Sequence, residues 1–125
     1  MNSNNKQPVI IGVDGGGTKV TAGIIEKHQD IFCLNKSSSN RYYLENPDFD
    51  IGFSPVTMRN QFRELQANEI KPTSAEIAQG KPIINSFRDV ILDLNINSPV
   101  LIGIGMVGLK TSDNRGIGAM ANGPR

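Results

Sequence analysis

Short apolar runs and one long helical stripe set the hydrophobic pattern of this chain. "PVIIGVD" (8–14) is rich in β-branched residues and ends at glycines, which predicts a buried strand. "KVTAGIIE" (19–26) alternates apolar with polar positions and predicts the returning strand of a hairpin. Residues 27–30 form its polar turn, and "IFCLNK" (31–36) predicts a third strand. Residues 37–56 are crowded with Ser, Asn, Pro and Gly and read as a loop.

Beyond that loop the spacing becomes helical. In "TMRNQFRELQANEI" (57–70) the positions Met58, Phe62 and Leu65 suit one helix face. "TSAE" (73–76) has the form of a capping box, with Thr73 as cap and Glu76 reaching back. Pro82, after Gly80, fits a first helical position. From there Ile83, Ile84, Phe87, Val90, Ile91 and Leu94 mark a single face. "SPVLIGIGMVG" (98–108) predicts a further buried strand, "KTSDNRG" (110–116) a turn, and "IGAMAN" (117–122) a strand returning from it. The order β-β-β-α-β, with flanking helices, predicts an α/β fold built on a mixed sheet.

Size and charge narrow the classes. At 125 residues the chain holds one domain's worth of core and too little for two domains of the usual size. Its 13 basic and 12 acidic side chains leave a net charge of +1, which predicts no nucleic-acid partner. The apolar runs are strand-sized, so no membrane span is expected. Residues 1–7, "MNSNNKQ", are expected to be a disordered polar N-terminus without a secretory signal core. Cys33, the single cysteine, has no partner in the chain for a disulfide. A cytoplasmic location is the default expectation.

Candidate chemistry centres on "DGGGTK" (14–19). Three glycines placed between two strands bring backbone N–H groups close to a ligand, and phosphate is the natural acceptor for such groups. The stretch is not a P-loop, which needs G-x-x-x-x-G-K-S/T opening a helix. Here Thr18 and Lys19 stand in the reverse order, and the residues after them are strand-like. "GIGMVG" (103–108) is a literal G-x-G-x-x-G, yet the chain turns at once rather than entering a helix, so the dinucleotide fingerprint fails too.

What remains is a phosphate-binding β-hairpin. "GVDGGGTKV" resembles the first phosphate motif of the sugar-kinase, heat-shock-chaperone and actin group of ATPases. The version with three glycines before Thr-Lys is most similar to the ROK sugar kinases and to the BadF/BadG and N-acetylglucosamine-kinase branch. "GIGMVGLKTSDNRGIGAMANGPR" (103–125) resembles a later ROK stretch, in which a G-x-G-x-P-G turn precedes a glycine and a substrate-side asparagine. The resemblance covers residues 8–36 and 98–125, while 37–80 is atypical and reads as a loop and helical insertion.

The resemblance implies a ribonuclease H-like, actin-like ATPase lobe over 8–125. It implies Mg²⁺ and ATP as cofactors, with Gly15, Gly16, Gly17 and Thr18 around the phosphates. Asp14 would hold the magnesium, and Lys19 would add a positive charge. Gly108 and Asn122 would face a sugar or amino-sugar substrate. Val107 stands where the family has proline. The family's general base lies beyond the position of Arg125, as does its second lobe. The chain is therefore expected to be an N-terminal part of a kinase, inactive alone, with homo-oligomerisation left open.

Two other uses remain open: an activator ATPase of the BadF type, and a non-catalytic half-lobe acting only through a partner. Residue by residue, plainer readings also stand. Asp-Gly-Gly is ordinary hairpin chemistry. Gly103, Gly105 and Gly108 suit tight strand packing, and Asn122 suits a turn. His28 reads as a solvated turn residue, Cys33 as a small core residue, and Tyr42 and Tyr43 as loop packing or substrate contacts.

Overall fold

The computed structural model describes residues 7–125, and for residues 35–37 the backbone alone. Six of the seven residues of the expected polar N-terminus therefore lie outside the described residues. Over the described residues the protein is mixed α/β, with a mixed four-stranded sheet, a two-stranded sheet and two α-helices. Among the described residues no helix is long and apolar enough to cross a membrane. The chain forms two compact units, one from residues up to Tyr42 with Ser86–Met106, the other from Tyr43–Asn85 with Val107–Arg125.

The first unit is the larger sheet with the last turns of a helix. Strands β1 (Val9–Gly15), β2 (Lys19–His28), β3 (Ile31–Tyr42) and β4 (Val100–Met106) lie in the order β3-β2-β1-β4. β1 runs antiparallel to β2 and parallel to β4. Alternation puts Ile11, Val13 and Gly15 on one face of β1, opposite the buried Val20 and Ala22 of β2. Phe87 and Val90 come from α2 (Ser74–Leu92). Val90 is fully buried, and the Phe87 ring lies over Gly15. Just beyond the helix, Asp93 accepts from Arg41 at 2.8 Å and from Ser39 at 3.2 Å, tying the helix end to β3.

Four local expectations are corrected here. β3 runs on to Tyr42 where the Ser-rich composition predicted a loop, because pairing of residues 38–42 with β2 carries the backbone. The hairpin turn shrinks to Gln29–Asp30, with Gln29 at positive φ. Cys33 is exposed rather than a core residue. β4 is exposed over most of its length rather than buried, because it forms one edge of its sheet.

The second unit holds α1 (Met58–Gln66), the first turns of α2, a short 3-10 helix (Tyr43–Glu45), and the paired strands β5 (Leu109–Lys110) and β6 (Ile117–Ala119). Thr57 caps α1 by accepting from the Asn60 N–H. The capping box of α2 forms as expected: Thr73 Oγ1 accepts from the Glu76 N–H, and Glu76 Oε2 accepts from the Thr73 N–H. The helix does not restart at Pro82. It runs unbroken from Ser74 through Gly80 and Pro82, at the expense of one helical hydrogen bond. The expected apolar stripes also shift. Phe62 and Ile84 are exposed, and the residue α1 buries completely is Gln61.

Polar groups organise this unit. Gln61 Oε1 accepts from the Met120 N–H at 2.7 Å, while its Nε2 donates to the carbonyls of Met120 and Val56 at 2.9 and 2.6 Å. The Arg125 side chain is fully buried. Its Nε donates to Glu76 Oε1 at 2.9 Å, its Nη2 reaches Glu76 Oε2 at 3.2 Å, and its Nη1 donates to Glu64. Burial alone would raise the Glu76 pKa, but the hydrogen bonds from Arg125 and the Thr73 N–H outweigh it and hold the carboxyl below its usual range. The hydrogen bond from Arg125, joined by the Lys71 N–H, lowers Glu64 as well. Every buried side-chain nitrogen and oxygen among the described residues has a partner.

Thr73→Ala removes half of the capping box and should cost about 1 kcal/mol in urea unfolding. Arg125→Met strands a buried carboxylate at Glu76 and should cost roughly 3 kcal/mol. Both glutamate pKa values are lowered by folding. Their contribution is therefore fully present above the ordinary glutamate pKa of about 4.3 and is lost as pH falls through the folded values. A urea midpoint that does not drop between pH 6 and pH 3 would contradict the pairing.

Candidate functional site

The candidate site begins where β1 gives way to β2. Asp14 is paired with Thr21 across β2 and with Gly105 across β4, so its side chain leaves the sheet on the face opposite Phe87. Lys19 and Thr21, two residues apart on β2, share that face. Thr21 Oγ1 donates to Asn40 Oδ1 at 2.6 Å, and Lys19 Nζ stands 5.7 Å from the centre of the Tyr42 ring. Asp14 and residues 16–19 are all exposed.

The three glycines serve different ends. A Cβ on Gly15 would lie 2.5 Å from Phe87 Cζ, so packing accounts for it. Gly16 donates its N–H to Lys19 O at 2.9 Å, and a Cβ there would meet that same carbonyl at 3.2 Å. Turn closure accounts for Gly16. Gly17 has nothing within 4 Å of a Cβ, and it is not among the residues at positive φ. Neither packing nor conformation inside the protein asks for glycine at position 17.

The remaining candidates belong to the second unit. Gly108 has φ +122°, and a Cβ there would lie 2.8 Å from Ile117 Cγ2 and 3.0 Å from Ala119 O, so its glycine is required by the turn into β5. Gly103, in the first unit, has open space around it, which removes the packing explanation there. Asn122 is exposed, between the buried Met120 and the buried Gly123–Pro124. The structure thus brings Asp14, Gly15, Gly16, Gly17, Thr18 and Lys19 together in one hairpin, and Gly108 and Asn122 lie in the other unit.

Other side chains singled out in the sequence fall elsewhere. His28 is exposed, 3.3 Å from Glu26. Tyr43 is buried and stacked on Phe49, so it packs rather than faces solvent. Two carboxylates outside that reading, Asp89 and Asp93, lie beside Arg88 and in the contact with β3. Gln61, Glu64 and Arg125 escaped the sequence reading. Only Glu76 carried a signal, through its capping box.

No group of three or more His, Cys, Asp or Glu among the described residues is arranged to hold a metal ion. Asp14 alone is still compatible with Mg²⁺, which binds through one or two carboxylates together with substrate phosphates and retained water. The open side of Gly17 and the exposed hydroxyl and amine of Thr18 and Lys19 fit the phosphates of such a complex. Comparison with family models finds no match, and neither the curated proteins nor the solved structures contain a significant match to this chain.

Gly15→Val pushes into Phe87 and should destabilise the protein by about 1–3 kcal/mol. Gly17→Ala enters open space and should stay within about 0.5 kcal/mol of the parent. Chemical denaturation of the two variants checks this, and equal losses would remove the distinction drawn between the glycines.

Proposed function

We propose that this chain is the N-terminal part of an ATP-dependent sugar or amino-sugar kinase with an actin-like, ribonuclease H-like ATPase lobe. The observation that carries the reading is the exposed turn between β1 and β2, where Gly17, open at its Cβ position as Gly80 and Gly103 also are, stands beside the exposed Asp14, Thr18 and Lys19. A ligand approaching that turn would meet bare backbone together with a carboxylate, a hydroxyl and an amine. The resemblance of "GVDGGGTKV" to the first phosphate motif of these ATPases names that ligand as the phosphates of ATP.

In this reading the main-chain N–H groups of Gly17 and Thr18 and the Thr18 hydroxyl receive the phosphate oxygens. Lys19 adds positive charge, and the Asp14 carboxylate holds magnesium. The bound Mg·ATP would supply the transferable phosphoryl group. What this chain contributes is position and charge neutralisation, which carry most of the catalysis in phosphoryl transfer. The sugar side would be built from Gly108 and Asn122, the general base would come from a second lobe, and the protein would work in the cytoplasm.

A second reading draws on β4, where Leu101 and Ile104 are 58% and 59% exposed on a sheet-edge strand. Apolar side chains in that position suit a lobe that acts only through a partner.

Titration calorimetry with Mg·ATP tests the main reading. Asp14→Ala and Gly17→Val should each weaken binding at least tenfold while leaving the unfolding midpoint within error of the parent. Undiminished affinity in both would contradict it. A panel of hexoses and amino-hexoses should raise Mg·ATP affinity if the protein is a kinase, whereas an activator ATPase would be indifferent to them.

A further inference from the structure

Residues 38–42 carry a loop's composition and still complete β3, and alternation divides their side chains between the two faces of the sheet. On one face Ser39 and Arg41 both engage Asp93, at 3.2 and 2.8 Å, which anchors the segment from behind. On the other, Asn40 and Tyr42 stand opposite Thr21 and Lys19, on the face that carries Asp14.

A break in the pairing makes this arrangement. Had the register at Ile25 and Leu34 continued, Thr21 would face Ser38 and Lys19 would face Asn40. The register shift between Gly23 and Ile25 instead brings Asn40 to Thr21 and Tyr42 to Lys19. Such irregularities are over-represented beside functional sites, where they re-aim side chains at the expense of regular pairing. Here the shift puts a carboxamide and an aromatic ring into the two cross-strand rows of that face nearest the β1–β2 turn.

Both side chains are exposed, and each holds a neighbour on β2. Asn40 Oδ1 accepts from Thr21 Oγ1 at 2.6 Å, which fixes the carboxamide by its oxygen. Its amide nitrogen has no partner among the described residues, so two N–H donors are left for a ligand. Lys19 Nζ stands 5.7 Å from the centre of the Tyr42 ring, and the ring face restrains the ammonium of a long, flexible side chain.

We infer that the end of β3 is a side wall of the phosphate site. Asn40 is a further binding residue that donates its amide N–H groups to polyphosphate oxygens, and Tyr42 is a positioning residue that acts through Lys19. The ligand rests on the proposed Mg·ATP reading, whereas the placement of the two side chains rests on the sheet alone. Asp14 and Asn40 lie two strand spacings apart, roughly 10 Å, a distance that a nucleoside triphosphate covers.

¹⁵N–¹H spectra of the full chain test this, with Mg·ATP and inorganic tripolyphosphate as probes. The Asn40 side-chain amide signals should shift and saturate together with the backbone signals of residues 15–19. Asn40→Leu, which has no donor, should weaken Mg·ATP binding roughly tenfold. Tyr42→Leu should weaken it roughly two- to fivefold, and Tyr42→Phe, which keeps the ring face, should bind as the parent does. The Lys19 ε-methylene protons add a readout of positioning: shifted upfield by the ring in the parent and in Tyr42→Phe, and returned to their ordinary place in Tyr42→Leu.

Hairpin shifts with an unmoved Asn40 amide and parent-like affinity in Tyr42→Leu overturn the inference and leave the phosphate reading standing. Lower urea midpoints with unchanged affinity in Asn40→Leu and Tyr42→Leu show a structural role only, and overturn it as well. Saturable tripolyphosphate shifts at Asn40 without Mg·ATP binding uphold the side wall and remove the nucleotide reading. No saturable shift with either probe overturns both.

Discussion

The candidate site depends on the register of β1. This strand is hydrogen-bonded on both sides, antiparallel to β2 and parallel to β4, and the two pairings must agree. Together they set Asp14 between Thr21 and Gly105 on one face and leave Gly15 under Phe87 on the other. A slip of one residue would exchange the two faces, turning the carboxylate toward the apolar helix and a bulky side chain toward the open side. The cost of burying an unpaired charge excludes that alternative. The hydrophobic face of β1 therefore does more than form a core, since it determines which side of the sheet carries the candidate site.

The two units solve the problem of specificity differently. In the first, apolar side chains and backbone pairing fix the geometry, and the polar groups Asp14, Lys19, Thr21 and Asn40 stay near the surface. In the second, Gln61, Glu76 and the Arg125 side chain are withdrawn from solvent and fully partnered. Buried polar networks of this kind add little net stability when complete but are costly when broken. Their effect is to select one path for the chain between α1 and the final turn.

Much of this was legible in the sequence where the signal is local. The β-branched run of "PVIIGVD" and the alternation in "KVTAGIIE" predicted β1 and β2 and the hairpin that joins them, and Thr73 with Glu76 announced the start of α2. Signals failed where a distant partner decides the outcome. The residues of β3 beyond 36 have a loop's composition, yet pairing with β2 makes a strand of them. Gly80 and Pro82 look like a break, yet α2 passes through both. Gln61 and Arg125 look like solvated helix and tail residues, because their partners lie 49 to 61 positions away. Within the candidate hairpin, residue types pointed to the loop, but only the surroundings of each glycine separate packing at Gly15 and turn closure at Gly16 from the open position at Gly17.

The most direct measurement is a map of backbone amide shifts as Mg·ATP is added to the ¹⁵N-labelled protein. The account predicts that the largest and saturable shifts fall on Gly15 to Lys19, with Gly17 and Thr18 foremost, and that they shrink when EDTA removes the magnesium. Shifts that avoid this hairpin, or no saturable change at millimolar Mg·ATP, would contradict the assignment of "DGGGTK" as a phosphate site.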